Sequence, residues 1–405
     1  MPSVSLRALS TPSSPIRKLA RYAVDAKARG VEIYHLNIGQ PDVPSPDSFW
    51  DAIRAFNVPT VEYTHSAGIA SLRDAAVESY KGYGISIHAD ELIVTNGASE
   101  ATLFAFLTLF EPGDEVIVLE PYYANYTTFA LMAGVHLVPL TTKIEADFAL
   151  PEISEIEAKI SPKTKGLLLC NPSNPTGTGF SGSMLDRLGK LALDHDLFII
   201  VDEVYRDFFY DGEPPVSILN FPGLEQHAIM LDSVSKRLSL CGARIGFFVS
   251  RNQEVIANAL KYAQARLSPP TLEQVGAEAA ILQTPPEYFT AVKQEYRRRR
   301  DLVISALQKM EGVHCPKIDG AFYAIVRLPI DDCDRFCQWL LTDFNLNGKT
   351  VMLSPASGFY ITPGLGKDEV RIAYVLKEES LKGAMACLEA ALNVYPGRLA
   401  GVLAK

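Results

Sequence analysis

The stretch "CNPSNPTGTGFSG", residues 170–182, ends in glycines spaced as G-x-G-x-x-G, the pattern of dinucleotide-binding turns. Such a turn has its first glycine directly at the end of a strand, so that the pyrophosphate meets a helix N-terminus. Here the apolar run "GLLLC" ends at Cys170, and the segment "NPSNP" separates it from Gly177. Because the prolines lack an N–H and cannot extend the strand, a dehydrogenase is rejected. The stretch instead predicts a rigid polar turn at the carboxyl end of a strand, where open α/β sheets bind ligands.

Around this turn, short apolar runs alternate with helical segments over residues 90–250. Several runs are apolar without alternation, as in strands that are covered on both faces. The strand candidates are "ELIVTNG", "EVIVLEPYY", "GLLLCNPS", "LFIIVDEVY", "AIMLDSVSK" and "RIGFFVS". This layout predicts an α/β fold with a mostly parallel sheet. Asp202 ends the run "LFIIVDE", and we expect its carboxylate to lie in the ligand crevice.

The pattern changes after residue 285. A long charged helix over about 287–311 precedes "GAFYAIVRLP", a helix around "CDRFCQWLLTDF", and two short strands near 350 and 370. These segments predict a smaller α+β domain that includes the N-terminal segment. We therefore expect residues 1–45 to form an arm and part of the small domain, 46–285 the large domain, and 286–405 the small C-terminal domain.

Composition narrows the classes of partner. The chain has 405 residues, is 48% hydrophobic and 21% charged, and carries a net charge of -9. The acidic balance argues against a nucleic-acid partner, and no apolar run reaches the roughly 18 residues of a membrane span. The basic run "YRRRR" at 296–300 follows a helical segment and is expected to be a solvated helix face. The scattered cysteines predict free thiols in the cytoplasm and no metal site.

The N-terminus leaves two interpretations open. The segment "MPSVSLRALSTPSSPIRKLARY" is rich in serine and arginine and has no acidic residue before Asp25, as in transit peptides. The alternative is an arm that leads into the helix "IRKLARYAVDAKARG", with Ser14-Pro15 as the capped start and Gly30 as the end. We favour the arm.

The stretch "DSVSKRLSLCGARIGF", residues 232–247, contains the most informative side chains. Lys236 follows a predicted strand, lies between Ser233 and Ser235 on one side and Arg244 on the other, and is not the usual surface lysine. Two hydroxyls and a guanidinium can bind a phosphate dianion, with arginine forming bidentate hydrogen bonds. An amine beside a phosphate site is what a pyridoxal phosphate enzyme needs for its Schiff base.

With these residues in view, the chain resembles the class I/II aminotransferases of the pyridoxal-phosphate fold-type I superfamily. The motifs "NPSNPTG", "VDEVY", "SVSKRLSLCGARIG" and "VRIAYV" occur in the order of that family, and the resemblance covers about 16–392. It implies a large domain with a seven-stranded type of sheet covered by helices, pyridoxal 5'-phosphate as cofactor, and a homodimer. The G-x-G-x-x-G match would then only shape the turn that holds the cofactor ring.

The resemblance implies roles around the cofactor ring. Lys236 would form the Schiff base and later move the proton between the substrate's alpha carbon and the cofactor. Asp202 would pair with the pyridine nitrogen and keep it protonated. Asn174 and Tyr205 would bind the phenolic oxygen, and Tyr123 would stack on the ring. We expect the pKa of Lys236 to be lowered by burial and nearby positive charge.

It also implies phosphate and substrate contacts. The backbone N–H groups of Ala98 and Ser99, at a helix start, would bind the phosphate together with the Ser99 hydroxyl. Arg371 would bind the substrate's alpha-carboxylate, because an arginine in an apolar strand needs an anion. Gly39 would offer backbone to the same carboxylate. Tyr63 would reach the phosphate of the neighbouring subunit, so that the dimer shares its active sites.

Substrate choice stays open from the sequence. The resemblance implies ping-pong transamination, and aspartate with 2-oxoglutarate is the first expectation because "IRKLARYAVDAKARGVEIYHLNIGQPD" resembles bacterial aspartate or aromatic aminotransferases. No second arginine for a distal carboxylate is recognisable. Aromatic, methionine or alanine aminotransferases and a carbon–sulfur beta-lyase are the alternatives. A DNA-binding regulator is disfavoured, since only about 30 residues precede "YHLNIGQPD" and the charge is acidic.

Overall fold

The computed structural model describes residues 2–212 and 215–399. Its helices are α1 Leu6–Ser10, α2 Ala20–Ala28, α3 Asp47–Ala55, α4 Ala70–Lys81, α5 Ala98–Leu109, α6 Asn125–Ala133, α7 Ile153–Glu157, α8 Gly182–Asp194, α9 Gln253–Arg266, α10 Thr271–Gln283, α11 Pro286–Leu307, α12 Cys333–Thr342 and α13 Glu378–Val394. Its strands are β1 Glu32–His35, β2 Leu92–Thr95, β3 Glu115–Glu120, β4 His136–Thr141, β5 Thr164–Cys170, β6 Phe198–Asp202, β7 Ala228–Ser233, β8 Gly246–Val249, β9 Tyr323–Arg327, β10 Lys349–Met352, β11 Ser354–Pro355 and β12 Glu369–Ala373.

A seven-stranded sheet forms the centre of the fold, in the order β2-β8-β7-β6-β5-β3-β4. All neighbouring pairs are parallel except those of β8, which runs antiparallel to β2 and β7. The predicted α/β class with a mostly parallel sheet covered by helices is confirmed.

Two hydrophobic cores lie on opposite faces of this sheet, which explains the apolar runs without alternation. In β6, Ile199 and Val201 pack into one core while Ile200 packs into the other. In β5, Leu167 and Leu169 share the first core and Leu168 joins the second. Because successive side chains of a strand point to opposite faces, both faces must be apolar. The helices supply the cover on each side.

The carboxyl ends of β5, β6 and β7 meet at one edge of the sheet. Their register pairs Cys170 with Asp202, and Asp202 with Leu231. The turn after Cys170, the carboxylate of Asp202 and the loop after Ser233 are therefore neighbours. This is the edge at which parallel sheets bind ligands.

Two small sheets involve both ends of the chain. The N-terminal β1 pairs in parallel with β10, and β11, β12 and β9 form an antiparallel sheet. In the second sheet Arg371 lies opposite Ser354 and Ile325. The pairing of β1 with β10 joins the N-terminal segment to the C-terminal part. The boundaries at residues 45 and 285 stay predictions.

Two elements differ from the sequence-based expectation. Strand β4 was missed because it is a partly exposed edge strand and contains Pro139, which argues against a strand in the interior of a sheet. The helix expected from Ile16 begins only at Ala20, because the N–H groups of Arg17 and Lys18 both bond to the carbonyl of Ser14 in a preceding turn. The chain leaves α2 through Gly30, which has a φ of 81°.

The expectation of a solvated face at 296–300 was wrong for two of its arginines. Arg299 and Arg300 are buried, with 3% and 5% of the residue surface exposed. Arg299 bonds to Asp42 at 2.6 Å and to Glu295 at 2.8 Å, and Arg300 pairs with Asp211. Carboxylates from distant segments satisfy these buried charges, which a helical pattern alone does not reveal.

Among the helices of the described residues, none combines the length and the apolar character that a membrane crossing requires.

Candidate active site

A cavity of about 570 Å³ opens at the carboxyl edge of the seven-stranded sheet. Its volume lies within the roughly 300–1,000 Å³ that small-molecule and cofactor sites occupy. Twelve of the thirteen residues singled out from the sequence line it: Gly39, Ala98, Ser99, Tyr123, Asn174, Asp202, Tyr205, Ser233, Ser235, Lys236, Arg244 and Arg371. The structure thus brings together residues that are up to about 330 positions apart in the chain.

Lys236 extends from the loop after β7 towards the N-terminal segment. Its Nζ donates to the carbonyl of Gly39 at 3.1 Å and lies 3.7 Å from the Sγ of Cys241. The loop is fixed by the N–H of Ser235, which donates to the Ser233 hydroxyl, and by the thiol of Cys241, which donates to the Ser235 carbonyl. Gly39 must be glycine, since a Cβ there would lie 1.7 Å from the Tyr323 hydroxyl.

The pKa of Lys236 shifts upwards. Burial lowers this pKa, but the hydroxyl of Tyr323, the thiol of Cys241 and the hydroxyl of Tyr123 raise it more. The protein's own groups therefore hold Lys236 as an ammonium ion. Burial acts in the expected direction on this pKa, and the depression expected for the enzyme with its cofactor and substrate bound stays a prediction.

Asp202 is a buried carboxylate that forms no ion pair in the part of the chain that the structure describes. The hydroxyl of Tyr126 donates to its Oδ2 at 2.8 Å, and the N–H of Val204 donates to its Oδ1 at 3.3 Å. No ion pair joins Asp202 to any residue in 2–212 or 215–399. Burial raises the pKa of Asp202 to about 6, although the hydrogen bond from Tyr126 lowers it. Such a carboxylate gains most from a cationic partner supplied by a ligand.

Arg371 is a buried cation that pairs with no carboxylate of the described chain. It is 1% exposed, and its Nη1 donates to the amide oxygen of Asn174 at 3.0 Å while its Nη2 donates to the carbonyl of Asn37 at 2.6 Å. Its Nε is buried and finds no acceptor. Burial lowers the pKa of Arg371. A buried guanidinium in this state favours binding of an anion.

An anion site of a second kind lies at the start of α5. The N–H groups of Ala98 and Ser99 are the first of the helix and have no acceptor within it. Arg244 is held beside them, with its Nη2 donating to the carbonyl of Asn96 at 3.1 Å. Gly97 permits this approach, because a Cβ there would lie 2.4 Å from the same Nη2. Backbone donors and a guanidinium together suit a phosphate.

The tyrosines of the cavity form contacts that the motifs did not indicate. The hydroxyl of Tyr205 lies 2.9 Å from that of Tyr323, a residue missed in the sequence. The hydroxyl of Tyr123 accepts from the amide of Asn125 at 2.7 Å. Burial raises the pKa of Tyr123 and Tyr205, so both are neutral donors at pH 7.

Tyr63 is the one predicted site residue that does not line the cavity of its own chain. It is 79% exposed and lies with Thr60–Glu62 beside Ser268–Thr271, in a separate surface cavity. Its expected role requires a neighbouring subunit and stays a prediction.

Other residues of the site were missed. Asn37 joins two parts of the cavity wall, Tyr126 bonds to Asp202, Cys241 contacts Lys236, and Arg17 lines the cavity. Cys241 stands inside a segment already noted as a motif, and Tyr126 comes three residues after the strand candidate "EVIVLEPYY", so their spacing was a usable signal. Asn37 and Arg17 are brought in by contacts distant in sequence and gave no local signal.

A buried carboxylate, an amine and three guanidiniums in one cavity, at the carboxyl edge of a parallel sheet, characterise an enzyme of the pyridoxal phosphate type. Comparison with known families agrees. Residues 31–388 match the family model "Aminotransferase class I and II", and the chain belongs to that family. Its cofactor is pyridoxal 5'-phosphate.

Similar proteins span almost the whole chain. An aspartate/prephenate aminotransferase of Thermus thermophilus is 32% identical over 397 residues, covering 94% of this chain and 97% of that protein. The crystal structure of an aspartate aminotransferase from Thermotoga maritima matches with a TM-score of 0.88 at 30% identity, covering 96% of this chain and 100% of that one. An alanine aminotransferase from Pyrococcus furiosus matches with a TM-score of 0.87 at 29% identity, covering 96% and 99%.

The residues of the cavity fit this cofactor. Its aldehyde needs an amine, which Lys236 provides, and its phosphate needs backbone donors and a cation, which the start of α5 and Arg244 provide. Its ring nitrogen needs a buried carboxylate, and Asp202 has no ion-pair partner among the described residues. The glycine at 97, where any side chain would collide with Arg244, keeps the phosphate end open.

The raised pKa of Asp202 leads to a prediction about how the stability of the cofactor-free protein changes with pH. The folded pKa of about 6 lies above the ordinary 3.8, so folding favours the protonated carboxyl. The wild type should then lose stability relative to Asp202→Asn as the pH rises from about 4 to about 6, by about 3 kcal/mol in total, and no further above that range. Chemical unfolding of both proteins at equal concentration, at several pH values, measures the difference.

Asp196→Asn controls for the change in net charge, because Asp196 is exposed. A stability difference between wild type and Asp202→Asn that is flat with pH would contradict the raised pKa.

Proposed function

We propose that the protein is an aminotransferase that moves the amino group of aspartate to 2-oxoglutarate by a ping-pong mechanism. The observation that carries the proposal is the convergence of Lys236, Asp202 and Arg371 in one cavity. The aspartate aminotransferases among the similar proteins support aspartate as the donor.

We propose that the large sheet supplies the residues that hold the cofactor. Pyridoxal phosphate supplies, when bound, an aldehyde that condenses with amines and a ring that withdraws electrons. Asp202 would bond to the ring nitrogen and keep its proton in place, while Tyr126 and Val204 fix the carboxylate. Asn174 and Tyr205 would donate to the phenolic oxygen, and Tyr123 would cover one face of the ring.

The phosphate would be held by donors from three segments. Ala98 and Ser99 offer the first N–H groups of α5, and Arg244 offers its guanidinium. Ser233 and Ser235 line the same cavity from the loop after β7 and add hydroxyls. The helix terminus and the cation act in the same direction on a dianion.

Arg371 would orient the substrate through its alpha-carboxylate. Two of its nitrogens are already fixed by Asn174 and Asn37, so the guanidinium is held in place before the substrate arrives. Gly39 lies beside it with a backbone carbonyl that Lys236 contacts. A fixed guanidinium costs little entropy on binding and places the alpha carbon reproducibly.

Lys236 would accept the proton of the substrate's alpha carbon at its Nζ. It would then move this proton to the cofactor. This requires the neutral amine, yet the surrounding groups raise the pKa of Lys236. We infer that bound positive charge must lower it, since a base is effective when its pKa lies near the working pH. The contact of Nζ with Gly39, which is proposed to lie beside the substrate's alpha-carboxylate, supports this role.

We also propose a homodimer in which Tyr63 reaches the phosphate of the partner's site. Its hydroxyl is exposed and distant from its own cavity, and the exposed Val61 accompanies it. Equilibrium sedimentation should give about twice the chain mass of 44.4 kDa, and Tyr63→Phe should weaken cofactor binding about tenfold by removing one hydrogen bond to an anion. A fully active monomer would contradict the shared site.

Alternative substrates have specific support. The similar structures include an alanine aminotransferase, so the same fold occurs in an enzyme named for a different amino donor. Aromatic amino acids and methionine are further alternatives. A carbon–sulfur beta-lyase would use the same cofactor contacts but need no amino acceptor.

Lys236→Ala tests the proposed chemistry. The variant should lose the borohydride-reducible link to the cofactor and at least about 10³-fold in kcat, because both the covalent amine and the proton carrier are removed. Lys261→Ala, at an exposed lysine on α9, is the matched control. Wild-type turnover in Lys236→Ala would refute the assignment.

A panel of amino donors tests the proposed substrate. Aspartate, alanine, methionine and phenylalanine are offered with 2-oxoglutarate, and formation of each oxo acid is followed. Aspartate should give the highest kcat/KM. A higher value for another donor would replace aspartate, and pyruvate release from cystathionine without any acceptor would favour the lyase.

A further inference from the structure

We propose that Arg17 binds the second carboxylate of a dicarboxylic substrate and so determines the substrate class. The proposal rests on the proposed function, because it assumes that amino and oxo acids enter the cavity described above. It names a residue of the substrate site outside the sequence motifs.

The cavity is lined by more cations than the proposed cofactor and alpha-carboxylate contacts use. Four of the side chains are cationic, Arg17, Lys236, Arg244 and Arg371, and Asp202 is the one carboxylate. Lys236 serves the aldehyde, Arg244 the phosphate and Arg371 the alpha-carboxylate, which leaves Arg17 with no anion. Its guanidinium forms neither an ion pair nor a hydrogen bond with any side chain in 2–212 and 215–399. An additional guanidinium in such a cavity attracts a further carboxylate.

The backbone of Arg17 is fixed relative to Arg371. The carbonyl of the preceding Ile16 accepts from the amide of Asn37 at 2.9 Å, and the carbonyl of Asn37 accepts from Arg371 at 2.6 Å. The N–H of Arg17 also donates to the carbonyl of Ser14 at 3.1 Å. One asparagine therefore connects the backbone of the Arg17 segment to the guanidinium of Arg371, and the exposed side chain of Arg17 extends from this anchored backbone.

The neighbours of Arg17 show why this side chain can discriminate. Ile16 and Ile38 also line the cavity and add apolar atoms, and Gln40 adds a neutral amide. The next residue in sequence, Lys18, forms an ion pair with Asp334 and does not line the cavity. Arg17 is thus the charge that separates a site for acidic side chains from a site for apolar ones.

The test measures binding of two unreactive acids of equal chain length to the holoenzyme. Succinate carries two carboxylates and butyrate carries one, and calorimetry gives the Kd of each for the wild type and Arg17→Gln. Loss of a charge-assisted hydrogen-bond pair should weaken succinate binding about 10- to 100-fold and leave butyrate unchanged. Arg17→Lys should recover part of the loss. Arg21→Gln, at an exposed arginine of α2 outside the cavity, should change neither Kd.

Kinetics with two donors give the second readout. Arg17→Gln should lower kcat/KM for aspartate by a similar factor and leave that for alanine unchanged. Equal loss for succinate and butyrate, or no loss for either, would overturn the proposal. Failure of the proposed function differs from failure of the Arg17 assignment. If the holoenzyme transfers no amino group from aspartate but Arg17→Gln still weakens succinate binding, the proposed function fails and the dicarboxylate site remains.

Discussion

The parallel register of β5, β6 and β7 is the constraint on which the site depends. It sets Cys170 beside Asp202 and Asp202 beside Leu231, so that the turn, the carboxylate and the lysine loop leave the sheet at one edge. A slip of one residue would turn each side chain to the opposite face. In this sheet both faces are apolar, so a slipped strand would still bury apolar side chains. The two cores therefore oppose a slip less strongly than the core of a sheet with one polar face. The polar ends of the strands therefore carry much of the register information.

The cavity is built from charges that the protein leaves without partners. Asp202 and Arg371 are both buried, and each is held by neutral hydrogen-bond donors or acceptors rather than by an opposite charge. Burial of such groups costs stability, and the shifts of their pKa values, upwards for Asp202 and downwards for Arg371, express that cost. A ligand with the complementary charges recovers it. The same feature that weakens the cofactor-free protein thus supplies affinity and orientation for the ligands.

The sequence predicted the elements that depend on local composition and missed those that depend on distant partners. Continuous apolar runs identified the central strands, whereas β4 was hidden by Pro139 and its partial exposure. The burial of Arg299 was missed because its partner Asp42 lies 257 residues away. In the site, the motifs gave twelve residues that line the cavity, but Asn37 and Arg17 are brought to it by contacts that no local pattern encodes. The influence of Tyr323 on the pKa of Lys236 was missed for the same reason, since Tyr323 comes from another sheet.

The residues proposed to bind the cofactor and those proposed to bind the substrate come from different parts of the chain. The residues proposed to hold the cofactor come from the seven-stranded sheet and its loops, while Arg371 comes from β12 and Arg17 from the segment before α2. The pairing of β1 with β10 brings the N-terminal segment to the C-terminal part, and Asn37 then connects it to Arg371. The proposed ligand of Arg371 is the alpha-carboxylate that all amino acids share, so we expect the position of Arg371 to stay constant. The Arg17 segment precedes α2 and is not part of the seven-stranded sheet that carries Lys236 and Asp202, which makes it a suitable place for specificity to differ among proteins with the same catalytic residues.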